Sequence, residues 1–298
     1  MTPDARRIVL DRLIDDAGLF PPARKPMERA VADHRAARAG AHAWMLGRFL
    51  CPVSRLPELA HADPDAGWRL GAIADGEDWR DDLSRVAAYD GPGTVDAIEL
   101  RLPGVLDEAP HGIDLFVEVP TRDARALTTA LDGLATDGRA GAKLRCGGVS
   151  SDAFPSDEAV ARFVGECVRL GLPFKATAGL HHPFRTLDEQ IGVLQHGFVN
   201  LLAATALAGV ADGATIIEEA DPRAFELSAS GLRWRDHVAD ADALARARRM
   251  FTAYGSCSFD EPVADLVAHG ILEESHARAH RASLRTPRRS STAPDSAE

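Results

Sequence analysis

At 298 residues, with 45% hydrophobic and 27% charged side chains, the chain is long enough to bury one large α/β domain and has an ordinary globular composition. A formal charge of −11 argues against a general nucleic-acid binder, and Asp11, Asp15 and Asp16 interrupt the first apolar stretch too often for a signal peptide. Four scattered cysteines without a C-x-x-C pair point to a reducing, cytoplasmic setting, and the longest apolar run, 198–211, is too short to span a bilayer.

Residues 4–16 read as one amphipathic helix that ends at Gly18 and the Phe20-Pro21-Pro22 turn, and 26–39 as a second. Short apolar runs follow at 44–50, 68–74, 95–102, 113–119, 140–145 and 173–178, separated by helical segments such as 53–60, 79–88, 122–134 and 156–170. Strands alternating with helices imply parallel pairing through right-handed crossovers. Beyond residue 185 the pattern weakens. Residues 186–195 read as helical, the seventh strand is either 197–203 or 214–217, and 225–234 is a strand pair turning at Gly231. A helix is expected over 241–254, and Ser258 to Glu261 resembles a capping box before another at 263–272. The expected organisation is a helical extension over 1–40, a barrel over 41–275, and a disordered Arg-, Ser- and Pro-rich tail over 276–298.

A closed (β/α)8 barrel of the TIM type is favoured over a doubly wound sheet by the charges on the strands. Glu99 and Arg101 are two apart on one run and Lys143 and Arg145 on another, so each pair shares a face; Glu118 and Lys175 sit on two more. Strands of a doubly wound sheet are buried on both faces and nearly all apolar. A barrel instead places polar groups at the C-terminal ends of its strands, where active sites lie.

Of 34 basic residues only Lys25, Lys143 and Lys175 are lysine. A chain that otherwise uses arginine, yet keeps two lysines on apolar strands, points to positions needing an amine that can lose its proton and act as nucleophile or base. On adjacent strands, about 4.8 Å apart, Lys143 would lower the pKa of Lys175 by like-charge repulsion. The competing reading is a buried ionic cluster of these lysines with Glu99 and Glu118.

The run Lys175-Ala-Thr-Ala-Gly179 resembles the Lys-Thr-Ser-Thr-Gly strand end of the deoxyribose-phosphate aldolases, whose lysine forms a Schiff base with the substrate carbonyl. Lys143-Leu-Arg-Cys-Gly-Gly148 is similar to the segment carrying that family's second lysine, although here it precedes the first rather than following it. The resemblance implies Lys175 as nucleophile and Lys143 as its perturber.

His181 and His182, at the start of the loop after Gly179, are candidates for general acid–base catalysis, for metal ligation with Glu118 or Glu99, or for a structural turn. Gly147-Gly148 and Gly255-Ser-Cys-Ser258 are candidate anion cradles, though Asp260 and Glu261 favour helix capping for the latter. Cys146 is either close to the reaction or a small packed residue. The segment 15–22 either closes a barrel end or reaches the site.

The leading expectation is therefore an aldolase-like lyase without a cofactor, acting on a small anionic carbonyl compound. Lys175, Lys143, Glu118, His181 and His182 carry the chemistry; Arg145, Arg101, Glu99, Arg48 and an inward-facing Asn200 bind substrate. The competitors are a divalent-metal enzyme that stabilises an enolate and a barrel that binds a ligand without turnover. No nucleic-acid or membrane partner is expected, and the chain is compatible with a homo-oligomer.

Overall fold

The structure, a computed structural model, describes residues 4–101 and 112–273. Eight parallel strands close into one barrel: β1 (Ile14–Asp16), β2 (Leu46–Pro52), β3 (Arg69–Ile73), β4 (Thr94–Arg101), β5 (Asp114–Glu118), β6 (Gly141–Arg145), β7 (Phe174–Thr177) and β8 (Phe251–Ser256). Each strand pairs with the next, and β8 closes on β1 with Ile14 opposite Tyr254 and Asp15 opposite Gly255.

Helix α1 (Ala5–Leu10) precedes β1. Helices α2 (Met27–Arg38), α3 (Leu56–Ala62), α4 (Trp79–Ala87), α5 (Ala124–Asp137) and α6 (Asp157–Leu170) follow β1, β2, β3, β5 and β6. Between β7 and β8 lie α7 (Phe198–Ala206), α8 (Gly213–Glu218) and α9 (Ala241–Met250), and α10 (Asp260–Ala268) follows β8. Local chemistry sets several of these bounds. Asp123 accepts the Ala126 N–H at 2.8 Å to start α5, and Gly138 ends it at φ 71°, a conformation that glycine adopts without a Cβ clash. No helix among the described residues is long and apolar enough to cross a membrane.

Outward-facing strand residues form the core beneath the helices. Tyr254 stacks on Phe198 of α7 at 4.9 Å, and Phe174 meets Phe163 of α6 edge-on at 5.3 Å. His34 of α2 packs against both Phe49 and Trp68.

The six apolar runs from 44 to 178 are β2 to β7, in order. The two strands that complete the barrel lie where helix was expected. Within 4–16, α1 stops at Leu10, Arg12 turns the chain at φ 47°, and Ile14–Asp16 enters the barrel as a fully buried strand. The expected helical extension therefore supplies a barrel strand. At the other end α9 stops at Met250, and Phe251–Ser256 is β8. A three-residue strand is too short to show a period, and the apolar spacing of 8–14 fits a helix equally well. Both candidates for a seventh strand are helical, in α7 and α8, because α7 is buried on almost every side and carries no polar stripe to mark its period. Residues 186–195 form a hairpin, Thr186–Asp188 with Val193–Gln195, rather than a helix. The strand pair at 225–234 is present and gains a third strand, His237–Ala239. The tail expected from 276 lies outside the described residues.

Candidate active site

The barrel interior holds a continuous chain of ion pairs. Lys175 of β7 lies between Asp15 Oδ2 of β1 at 2.6 Å and Glu99 Oε1 of β4 at 2.5 Å. The other oxygen of Glu99 reaches Lys143 of β6 at 2.8 Å, and Lys143 reaches Glu118 of β5 at 3.2 Å. Glu118 then accepts from Arg145 Nε at 2.9 Å. Three carboxylates thus alternate with three cations, from the sealed interior to the strands' C-terminal ends. Strand register produces this, with Glu118, Lys143 and Lys175 side by side at one level.

Asp15 joins the chain because β2 makes room for it. A Cβ on Gly47 would lie 2.3 Å from Asp15 Oδ1, and that oxygen accepts the Arg48 N–H at 2.7 Å. Asp16, one residue on, faces the other way and bonds His34 Nδ1 at 2.9 Å. The segment at 15–22, left open by the sequence, therefore supplies a partner for Lys175. The available signal was Asp-Asp directly after an apolar pair, with a glycine one residue before Arg48.

The electrostatics separate the two lysines. Burial by itself pushes the Lys175 pKa down, but the charges of Asp15 and Glu99 and their hydrogen bonds overcome it and hold the ammonium above its ordinary range. The expectation that Lys143 would depress Lys175 is thereby reversed, because two anions touch the amine. Phe116, its ring centroid 5.7 Å from Lys175 Nζ, adds a further cation-stabilising face. Glu99 is raised by burial and lowered more strongly by both lysines, which hold it at about 2. Glu118 is likewise raised by burial yet kept below the usual carboxylate range by Lys143 and Arg145. The Lys175 side chain is 0% exposed and that of Lys143 is 8% exposed, so Lys143 alone of the pair borders solvent.

Other expected site residues lie elsewhere. Arg48 faces the barrel's N-terminal end, where its guanidinium binds Asp96 at 2.5 Å and Asp114 at 2.7 Å; both carboxylates come from the starts of their strands. It closes that end and is not placed to clamp a substrate at the other. Asn200 is a buried residue of α7 whose amide donates to the carbonyls of Ile216 and Glu219, both at 2.9 Å, tying α7 to the end of α8. Arg101 is exposed at the end of β4, in register with Glu118, and Arg145 is 44% exposed beside it.

His181 and His182 lead away from the last turn of β7 toward α10. His181 Nδ1 lies 3.0 Å from Glu261 and His182 Nδ1 2.5 Å from Asp265. Among the described residues neither ring is bonded to the lysine cluster. The turn before them is strained: Ala178 takes φ 59° ahead of Gly179 at 67°, a left-handed conformation that costs a residue with a Cβ about 1 kcal/mol or more.

Gly147 and Gly148 hold protein rather than an anion. A Cβ on Gly147 would meet Phe154 at 2.6 Å, and one on Gly148 would meet Ala153 at 2.6 Å. Ser258 accepts the Glu261 N–H at 3.2 Å, one half of the expected capping box; the Glu261 carboxylate meets His181 instead, and the Ser258 N–H donates to Ser256 Oγ. Cys146 is fully buried, its N–H bonded to Thr177 O at 2.8 Å, and burial pushes its thiol well up, away from a reactive thiolate.

As for metal, no group of three or more His, Cys, Asp or Glu side chains among the described residues is arranged to hold an ion. Each carboxylate of the cluster is engaged by lysine or arginine.

The fold and site define a parallel eight-stranded barrel with a lysine–carboxylate cluster opening toward the C-terminal ends of its strands, the end at which barrel active sites lie. No known family profile matches the chain, and no curated protein matches it in sequence.

Proposed function

We propose that this barrel is a Schiff-base lyase acting on a small anionic carbonyl compound, with Lys143 as the nucleophile and Lys175 as a fixed cation. The observation that carries this reading is Glu99, one carboxylate bridging two lysines of which one is sealed and the other borders the mouth. A buried Lys175 held charged by two anions cannot reach a substrate, so the roles implied by the aldolase resemblance are exchanged between the two strands.

Lys143, which borders solvent, gives its proton to water at the mouth, and its free amine adds to the substrate carbonyl carbon. Loss of water leaves an iminium, and as the Cα–Cβ bond breaks its electron pair forms an enamine. The β-hydroxyl gives up its proton and that fragment leaves as a carbonyl compound; protonation and hydrolysis of the enamine release the second product and free Lys143. Glu118 is the carboxylate within reach for the proton transfers, and the exposed Arg145 and Arg101 supply cations for the anionic end of the substrate. Lys175 keeps Glu99 ionised and aimed at Lys143 throughout.

The test is a cleavage screen over 4-hydroxy-2-oxo acids and phosphorylated hydroxyaldehydes, reading the carbonyl product released. Lys143→Ala should lose activity by on the order of 10^4-fold or more while remaining folded. A folded Lys143→Ala protein that cleaves at the wild-type rate rules the proposal out.

A further inference from the structure

The two sides of the barrel mouth differ, and the difference describes the substrate. On one side Lys143 and Arg145 hold the same carboxylate oxygen: Glu118 Oε2 lies 3.2 Å from Lys143 Nζ and 3.3 Å from Arg145 Nη2. The amine and that guanidinium nitrogen are therefore no further apart than those two distances laid end to end. Arg145 Nε donates to the other oxygen at 2.9 Å, so among the described residues the guanidinium grips Glu118 by its Nε–Nη2 edge. The Nη1–Nη2 edge is left for a ligand, and the side chain is 44% exposed.

An anion on a substrate bonded to Lys143 must lie close to the reacting carbon to meet that edge. The new C–N bond spans about 1.5 Å and a charge-assisted hydrogen bond about 2.8 Å, which leaves about 2 Å between the attacked carbon and the anionic oxygen. A carboxylate bonded to that carbon holds its oxygens about 2.4 Å from it and presents both to the two nitrogens of the open edge. The phosphate of a cleavable hydroxyaldehyde follows the hydroxyl-bearing carbon, about 6 Å or more from the carbonyl carbon when extended, and overshoots this arginine.

The opposite side is apolar. Arg145, Thr177 and Gly255 stand in register across β6, β7 and β8, and β2 lies across the barrel from β6. A Cβ on Gly255 would meet Leu50 Cδ1 at 3.2 Å, Thr177 Oγ1 at 3.5 Å and Ala17 Cβ at 3.7 Å. The last two are ordinary contact distances, so the glycine leaves a methyl-sized recess walled by Leu50 and Ala17, with the Thr177 hydroxyl on its edge. None of these three side chains carries a charge, and a second anion there would lose its water with no cation to replace it.

We infer that the mouth takes a 2-oxo acid with a short uncharged tail, its carboxylate on Arg145 beside Lys143 and its tail toward Gly255. This substrate class depends on Lys143 acting as the Schiff-base nucleophile, and it makes Arg145 and Gly255 the residues that set specificity.

Cyanoborohydride trapping tests it. The full chain is reduced with 2-oxobutanoate, butanone, dihydroxyacetone phosphate or 2-oxoglutarate, and the concentration giving half-maximal adduct on Lys143 is read by mass spectrometry. Butanone has a methyl group in place of the carboxylate, dihydroxyacetone phosphate moves the anion away from the carbonyl, and 2-oxoglutarate adds a charge to the tail. 2-Oxobutanoate should reach half-maximal labelling at a concentration at least about tenfold below each of the others. Arg145→Gln, at an exposed position, should reduce its advantage over butanone to about twofold or less. Labelling of Lys143 by any of the other three at an equal or lower concentration, or an undiminished preference in Arg145→Gln, overturns the substrate class and leaves the Schiff base standing. No adduct on Lys143 with any of the four overturns both.

Discussion

The two ends of the barrel are both filled with charge, but with different cations. At the N-terminal end Arg48, 5% exposed, spans Asp96 and Asp114, and Arg69 also bonds Asp96. At the C-terminal end Lys175 and Lys143 share Glu99. A guanidinium is planar, forked and always charged, which suits a position that must hold two carboxylates apart and never change. An amine offers less geometry but can give up a proton and form a covalent bond. In a chain with 31 arginines and three lysines, the arginine end closes the barrel, and the lysine end carries the proposed chemistry.

That contrast can be broken by substitution. Lys175→Met leaves Asp15 and Glu99 facing each other in a sealed interior, and should destabilise the fold by about 3–5 kcal/mol in chemical denaturation. If it proves neutral, Lys175 is not the buried anchor argued here. Glu99 gives the pH dependence of the same region. Its pKa is about 2 in the fold against an ordinary 4.5, so its ion pairs contribute fully above 4.5 and are lost as pH falls toward about 2. Lys175, held above 10.5, contributes fully below that value and is lost as pH rises through its raised pKa. Denaturation followed against pH should show an acid limb to which Glu99 contributes on the order of 3 kcal/mol, and Glu99→Gln should shrink the limb by that amount while leaving the part due to Glu118. Arg48→Met should do least, about 1–3 kcal/mol, because Asp114 is 64% exposed and can return to water. It should leave the chemistry at the other end unchanged, and lost activity in a folded Arg48→Met protein would dissolve the distinction between the two ends.

Much of the barrel was legible because its middle strands are long enough to show their pattern. The alternation of Glu99 with Arg101 and of Lys143 with Arg145 marked one inward face, and with Glu118 and Lys175 on two more strands it made every member of the ion chain readable except Asp15. The closing strands were not legible. Ile14–Asp16 has three residues and Phe251–Ser256 follows a helix without a break, so neither shows a period of its own. Missing β1 meant missing Asp15, and without Asp15 the net effect on Lys175 came out with the wrong sign. Asn200 and Arg48 were misplaced for related reasons. A fully buried helix and a strand interior look alike in composition, and a residue's inward direction does not say which end of the barrel its side chain reaches.

The division of roles between the two lysines is tested most directly by reducing the protein with borohydride in the presence of a cleaved carbonyl substrate and mapping the modified lysine by mass spectrometry. Lys143 should carry the single adduct, with Lys175 unmodified. An adduct on Lys175 would contradict the division of roles between the two lysines, and cleavage with no adduct on either would contradict the Schiff base itself.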